Sequence, residues 1–343
     1  MAVRRKLRLI EGVEMSFTGL MVRREDKIIT GGLEALTLAD IGSGDVVIRS
    51  SFSSVNYKDA LAVTGRGAIL KKFPLVAGID VSGVVESSDD SKIAVGDQVL
   101  VTGCGLGEAH DGGFSQVVRV PADWVVKLPQ NLSLHEAMIY GTAGFTAALA
   151  LHRLEVNGLE PCCGPVVVTG ASGGVGSLAI ALLKKRGYEV IAVSGKSDQH
   201  DHLRKIGAAE VVSLDDLNLG TKPLEKGRFA AAIDNLGGEV LSQLVAATKL
   251  WGSVASIGLA AGHATSGTVF PYILRGVSIL GISSTNCPGD LRQQLWQRLA
   301  SDLKPKDLSE IVTETLPLSE VMGLCERMID RQTYGRYVID CRK

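Results

Sequence analysis

Val166-Val167-Val168-Thr169-Gly170-Ala171-Ser172-Gly173-Gly174-Val175-Gly176 is the stretch that decides how this chain folds. Four residues of strand character run into a glycine-rich turn, and Leu178-Ala179-Ile180-Ala181-Leu182-Leu183 continues with helical character. Glycines at a strand-to-helix turn let the backbone approach a pyrophosphate. The helix N-terminus then presents unpaired N–H groups and the positive end of its dipole. Ser172, Gly173, Gly174 and Val175 are therefore the candidate pyrophosphate ligands. In the GxGxxG register the first glycine falls on Ala171, which leaves the approach at Gly173 intact. An ordinary tight turn of small residues is the competing reading. The strand before, the helix after and a further strand at 189–194 favour the dinucleotide site.

Strands and helices alternate outward from this turn. Further strands are expected at 210–214, 229–234, 253–258 and 278–282, with helices at 175–186, 198–206 and 240–249. Such alternation builds a parallel sheet covered by helices on both faces. The first third reads differently. Short apolar runs at 46–49, 81–85, 98–101 and 114–118 are punctuated by Gly42, Gly44, Gly96-Asp97 and Asp111-Gly112-Gly113, as in a mostly β domain. A helical stretch covers 134–152, and a helix at 290–300 with a closing β segment at 335–339 resembles the first third again. The expected fold is α/β: a doubly wound parallel sheet inserted in a mostly β domain. Its segments are 1–134, 135–283 and a return at 284–343.

The strand after the glycine turn ends in Ser194-Gly195-Lys196. An Asp or Glu commonly sits there when the adenine ribose keeps its 2′-hydroxyl. Here a hydroxyl, a glycine and a cation replace the carboxylate. Ser194 and Lys196 can hydrogen-bond and neutralise a 2′-phosphate, so NADPH is the expected cofactor. His200, His202 and Arg204 read as surface residues near the same point. Further contacts are expected at the carboxyl edge of the sheet, at Asn235-Leu236-Gly237, at Gly258-Leu259-Ala260 and at Ser283-Ser284. Leu259 and Ser283 are the candidates there.

A formal net charge of -1 with 45% apolar and 21% charged residues advertises neither a nucleic-acid nor a membrane partner. Six cysteines at 104, 162, 163, 287, 325 and 341 show no CxxC or zinc-knuckle spacing and read as free thiols. The basic start Met1-Ala2-Val3-Arg4-Arg5-Lys6 precedes no long apolar segment, and no membrane-length apolar run follows. The cytoplasm is the expected location.

Several segments carry a family resemblance. They are Ser54-Val55-Asn56-Tyr57-Lys58-Asp59-Ala60-Leu61, Thr64-Gly65-Arg66-Gly67, Phe73-Pro74-Leu75-Val76-Ala77-Gly78-Ile79-Asp80 and Tyr140-Gly141-Thr142-Ala143-Gly144-Phe145-Thr146-Ala147. With Gly281-Ile282-Ser283-Ser284 and Gln294-Leu295-Trp296-Gln297-Arg298-Leu299, the chain resembles the medium-chain dehydrogenase/reductase superfamily. Within it, the likeness is to the acryloyl-CoA reductase branch of the quinone-oxidoreductase-like members. The resemblance implies a Rossmann domain inserted in a GroES-like catalytic domain, and a homodimer. At the positions matching the catalytic zinc ligands of alcohol dehydrogenases stand Asn56 and Ile79, with no sulfur at 139–141. The stretch matching the structural zinc lobe, 101–114, holds only Cys104. No metal is expected, since tetrahedral zinc needs three or four such ligands.

Without a Lewis acid, reduction of a C=C bond conjugated to a carbonyl is easier than alcohol oxidation, because the charge spreads into an enolate. The resemblance implies a small 2-enoyl-CoA substrate such as acryloyl-CoA. A quinone or enone reductase, and a non-catalytic NADPH-binding protein, are the alternatives. Asn56, Tyr57 and Asp59 are the expected catalytic cluster, and the resemblance implies that Tyr57 lies against the cofactor, either to position the nicotinamide or to donate a proton. A packed aromatic role for Tyr57 and helix-cap roles for Asn56 and Asp59 stand beside that reading. Lys58 reads as solvated, and Arg66, Lys71, Lys72, Arg275 and Arg292 as candidate cations for CoA phosphates.

Overall fold

Four consecutive fully buried residues, Val166–Thr169, form the centre of a six-stranded parallel sheet. Such unbroken apolar runs are what a strand covered on both faces requires. The strands lie in the order Glu210–Val212, Val190–Val193, Val166–Thr169, Phe229–Asp234, Thr248–Ser256 and Ser278–Gly281. Numbered along the chain this is 3-2-1-4-5-6, the doubly wound arrangement with its reversal between Val166–Thr169 and Phe229–Asp234. The computed structural model describes residues 16–343, so the reading of residues 1–6 lies outside the described residues.

The first third and the C-terminus share a seven-stranded sheet. Val46–Ser54 pairs antiparallel with Asp80–Ser88, with Val117–Val120 and with the C-terminal Arg336–Asp340. The last pairing, with Val338 opposite Ser54, brings the end of the chain back to residues 46–54. A hairpin of Phe17–Glu25 and Ile28–Leu36 adds a small sheet that the apolar pattern does not announce. Its second strand keeps mostly partial exposure on both faces, and Arg23-Arg24-Glu25-Asp26-Lys27 masks the turn.

Boundaries moved for local reasons. The expected strand at 114–118 starts only at Val117. The helix expected at 198–206 begins as a 3₁₀ turn at Ser197–Gln199 and becomes α-helical at His200–Ile206. The expected helix at 240–249 is Gly238–Ala246, and Lys249 lies in the following strand, Thr248–Ser256. Leu134–Val156 is a 23-residue helix started by a Ser133/Glu136 capping box and broken internally at Gly141. Helix Gly289–Leu299 packs Leu295, Trp296 and Leu299 into the same core as helix Leu134–Val156, with Trp296 stacked 6.0 Å from Phe145. That core also takes Leu100 and Val126, so one apolar mass joins the two sheets.

Candidate active site

The strand order reverses between the two central strands, whose carboxyl ends are where a fold of this kind binds its ligand, and polar side chains fix the loops there. Thr169 Oγ donates to Asp234 at 2.7 Å, and the Asn235 backbone N–H donates to Thr169 Oγ at 2.9 Å. Asp234 also accepts from the N–H groups of Leu236 and Gly237, at 3.1 and 2.9 Å. Gly173 caps helix Gly174–Lys185, and a Cβ placed on Gly173 would meet only the Gly170 carbonyl, at 3.4 Å. The Gly173 N–H is taken by the Gly170 carbonyl at 3.0 Å and the Ala171 N–H by the Val193 carbonyl at 3.1 Å, which leaves the N–H groups of Ser172, Gly174 and Val175 without a partner among the described residues. Gly176 faces the opposite constraint: its Cβ would lie 2.4 Å from the Gly170 oxygen, so helix and turn meet only without a side chain.

Ser172 and the Ser194-Gly195-Lys196 segment form one rim. Their serine hydroxyls are 3.3 Å apart, and the Lys196 N–H donates to Ser194 Oγ at 3.1 Å. The Lys196 ammonium donates to the Thr333 carbonyl, and the Gly335 N–H donates to the Ser172 carbonyl at 2.9 Å. The loop before the C-terminal strand thus closes on the glycine turn, a feature no sequence motif marks. His200 contacts the Ser194 carbonyl at 3.3 Å, whereas Arg204 pairs with Asp201 on the surface. Leu259 and Ser283 are both exposed on loops at the same sheet edge, with no hydrogen bond to the glycine turn.

Beside this turn lies a buried cluster of charge. Asp80 accepts from Ser54 Oγ (2.7 Å), Asn56 Nδ2 (2.7 Å), Thr142 Oγ (2.6 Å) and the Thr142 N–H (2.9 Å). Asp59 accepts from the Asn56 N–H and the Ile79 N–H, each at 2.9 Å. The Arg336 guanidinium, fully enclosed, donates to the Ile139 and Val55 carbonyls, to Asn56 Oδ1 at 3.1 Å and to Ser54 Oγ at 2.7 Å. Burial lowers the affinity of Arg336 for its proton, and Asp80 and Asp59 oppose that. Gly141 makes the arrangement possible. Its φ of +48° turns the helix so that the Thr142 N–H faces Asp80, and a Cβ there would sit 2.4 Å from Ser54 Oγ.

Arg336 also joins the two halves of the expected site, since a Cβ on Gly174 would lie 3.1 Å from its guanidinium. Asp80 and Arg336 were not among the expected residues. The available signal was a lone arginine opening the apolar strand Tyr337-Val338-Ile339. Asn56 and Asp59, expected as catalytic groups with helix-cap roles as the alternative, both lie within this cluster. Both polar ends of the Asn56 amide are engaged within the cluster, and Asp59 is buried beneath it as the partner in a helix capping box. Tyr57 opens that helix with 53% of its surface exposed, so a packed aromatic role is ruled out. Its hydroxyl has no protein partner among the described residues. Lys58 is not simply solvated, for it pairs with Glu108 at 2.9 Å and reaches Thr285 Oγ at 3.5 Å.

Two of the five candidate cations for CoA phosphates are withdrawn. Arg275 is tied to the carbonyls of Glu225, Ala246 and Thr248, and Arg292 is buried. Lys72 approaches Asp111 at 3.7 Å, and Arg66 and Lys71 are exposed with no ion pair among the described residues. A catalytic zinc does not fit the donor set. Among the described residues no three His, Cys, Asp or Glu side chains cluster as ligands, and Asp80 is enclosed by four donors.

Burial and the neighbouring Asp80 push the Asp59 carboxyl up to about 7. A raised carboxyl pKa means that the folded protein holds a proton the unfolded chain has released. Its contribution to stability therefore declines as pH rises from about 4 to about 7. Replacing Asp59 with Asn removes that titration. The melting temperature of the variant, relative to wild type, is expected to climb across this window. A difference constant with pH would contradict the placement of the proton on Asp59.

Two family models match the chain: the alcohol dehydrogenase GroES-like domain over residues 42–130, and the zinc-binding dehydrogenase model over residues 174–301. YhfP of Bacillus subtilis, named as a quinone oxidoreductase, is 45% identical over 94% of this chain and 98% of its own length. Its crystal structure with NAD bound matches with a TM-score of 0.93 and 44% identity, covering 95% of this chain and 99% of that one. The acrylyl-CoA reductase AcuI of Ruegeria pomeroyi is 43% identical over 94% of this chain and 99% of its own. Escherichia coli YhdH, solved with NADPH bound, gives a TM-score of 0.91 at 43% identity, covering 94% of this chain and 99% of that one. Sequence, strand order and site together make this chain a member of the medium-chain dehydrogenase/reductase superfamily, in the quinone-oxidoreductase-like branch that includes the acrylyl-CoA reductases.

Proposed function

We propose that the chain is a metal-independent, NADPH-dependent reductase of the C=C bond in a small 2-enoyl-CoA, with acryloyl-CoA giving propanoyl-CoA. The observation that carries this reading is the junction of the open glycine turn with the Asn56–Asp80–Arg336 cluster. It supports a site in which the exposed Tyr57, at the start of the helix that Asn56 and Asp59 cap, faces the cofactor. The edge strand Ser278–Gly281 lies three strands from the glycine turn, about 14 Å at ~4.8 Å per strand, which suits an extended dinucleotide. The backbone of Ser172–Val175 takes the pyrophosphate, Ser194, Gly195 and Lys196 the 2′-phosphate, and Leu259 and Ser283 the nicotinamide end. Bound NADPH supplies the hydride for the β-carbon. Tyr57 positions the acceptor and gives its hydroxyl proton to the α-carbon of the enolate that hydride addition leaves, and solvent at this exposed side chain restores that proton. Asn56 and Asp59 act behind it by fixing the helix start that carries Tyr57.

This reading divides the chain at 134/135 and at 283/284 and puts the enzyme in the cytoplasm. No helix among the described residues is long and apolar enough to cross a membrane. A second copy of the chain is the proposed cover for the edge strand Ser278–Gly281 and for the exposed Trp251, Phe270, Ile273 and Leu274 beside it. Sedimentation showing a monomer at micromolar concentration would count against that cover.

NADPH oxidation measured with acryloyl-CoA, free acrylate and a small quinone tests the substrate. We expect acryloyl-CoA to give the highest kcat/KM, and Tyr57→Phe to lower it by about 10²-fold, in the range of a lost proton donor. The name carried by YhfP favours a second reading, quinone reduction. A quinone preferred by orders of magnitude would establish it instead.

A further inference from the structure

Arg292 is buried, yet no carboxylate among the described residues touches it. One arm donates to the Thr102 carbonyl at 2.7 Å and to Thr102 Oγ at 3.2 Å. The other donates to the carbonyls of Ser284 at 2.9 Å and Thr285 at 3.2 Å, and the guanidinium lies 4.9 Å over the Phe145 ring. A buried cation satisfied by carbonyls, one hydroxyl and a ring face, with no carboxylate, is an unusual arrangement, because an unpaired charge is costly to desolvate. Its planar fork is what lets one residue reach two separate pieces of backbone.

Those two pieces belong to opposite walls. Thr102 ends a strand of the seven-stranded sheet, whereas Ser284-Thr285 follow the last strand of the parallel sheet. The contact is intimate: the Cys104 N–H donates to the Thr285 carbonyl at 3.3 Å, and a Cβ on Gly103 would lie 3.0 Å from Thr285 Cα. Lys58, beside Tyr57, reaches the same threonine at 3.5 Å while held by Glu108. The turn at 284–285 is thus fixed from three sides, one residue past Ser283.

We infer that Arg292 is a positioning residue that holds the turn after Ser283 against the Thr102–Cys104 wall, setting the nicotinamide end of the cofactor relative to Tyr57. This inference rests on the cofactor placement proposed above. It assigns Arg292 to one half of the dinucleotide only. The adenosine half, at Ser172 and Ser194–Lys196, lies at the other side of the sheet and makes no contact with it.

The test compares wild type, Arg292→Lys and Lys58→Met for binding of NADPH and of 2′,5′-ADP, which carries the adenosine half alone, and for turnover. For Arg292→Lys we expect unchanged 2′,5′-ADP affinity, a Kd for NADPH about tenfold higher, as for one lost charge-assisted hydrogen bond, and kcat about a hundredfold lower. Lys58→Met, which disturbs only a partly exposed side chain, should show the same split with smaller changes. Equal losses for NADPH and 2′,5′-ADP, or no change in NADPH binding and kcat in either variant, would overturn the inference. Wild type that binds neither ligand would instead refute the cofactor placement.

Discussion

Replacing Arg336 with Leu is expected to abolish most turnover and to cost about 3–5 kcal/mol of stability, the range seen when one partner of a buried charge pair is removed. Among the described residues Arg336 is the cation enclosed with Asp80, Asn56 and Ser54, and the helix of the glycine turn rests against it. Leucine leaves Asp80 and Asp59 without a counter-charge and strands the carbonyls of Ile139 and Val55 without donors. Asp80→Asn added to Arg336→Leu removes one of the orphaned charges. The double variant should recover part of the stability but little of the activity, because Asn56 still lacks the donor to its Oδ1. Chemical denaturation of the four proteins gives the coupling directly. Additive losses would mean that Arg336 and Asp80 do not act as a pair.

The legibility of this molecule in its sequence divides along a physical line. The parallel sheet was readable because its strands are continuous apolar runs between glycine turns, and both signals are local. Phe229–Asp234 has the expected bounds for that reason. The hairpin Phe17–Leu36 was not readable, because its first strand is buried from Gly19 to Val22 without alternation and runs into the charges at 23–27, while its second stays partly exposed on both faces. In the site, Ser172 and Ser194 were legible as positions at strand ends, and the structure brings them together. Asp80 and Arg336 were not: 256 residues separate them, and their role arises from a strand pairing, Val338 with Ser54, that no local pattern encodes. Asn56 and Asp59 show the intermediate case. The cap-like spacing was visible, but whether the groups would face substrate or support a neighbour depends on Gly141 and Thr142, far along the chain.

The other large effect concerns the cofactor. Ser194→Asp should raise the Kd for NADPH by at least about a hundredfold and leave NADH binding equal or tighter, since like charges juxtaposed at a binding site cost several kcal/mol. Ser194 directly follows the second strand of the parallel sheet, Val190–Val193, the place from which an acidic side chain accepts hydrogen bonds from a ribose 2′-hydroxyl. Its hydroxyl lies 3.3 Å from Ser172 on the glycine turn, so a carboxylate introduced there would face a ribose bound as proposed above. Lys196→Ala separates attraction from repulsion. The Lys196 ammonium is already held at the rim by the Thr333 carbonyl, so its removal should weaken NADPH several-fold and reduce the salt dependence of binding, with NADH unaffected. The NAD-bound structure of YhfP makes this comparison decisive, because a relative this similar was crystallised with the cofactor lacking the phosphate. Fluorescence titration of both cofactors against wild type and the two variants reads the preference. Wild type that binds NADH as tightly as NADPH, with Ser194→Asp changing neither, would show that the rim at Ser194–Lys196 does not select the 2′-phosphate.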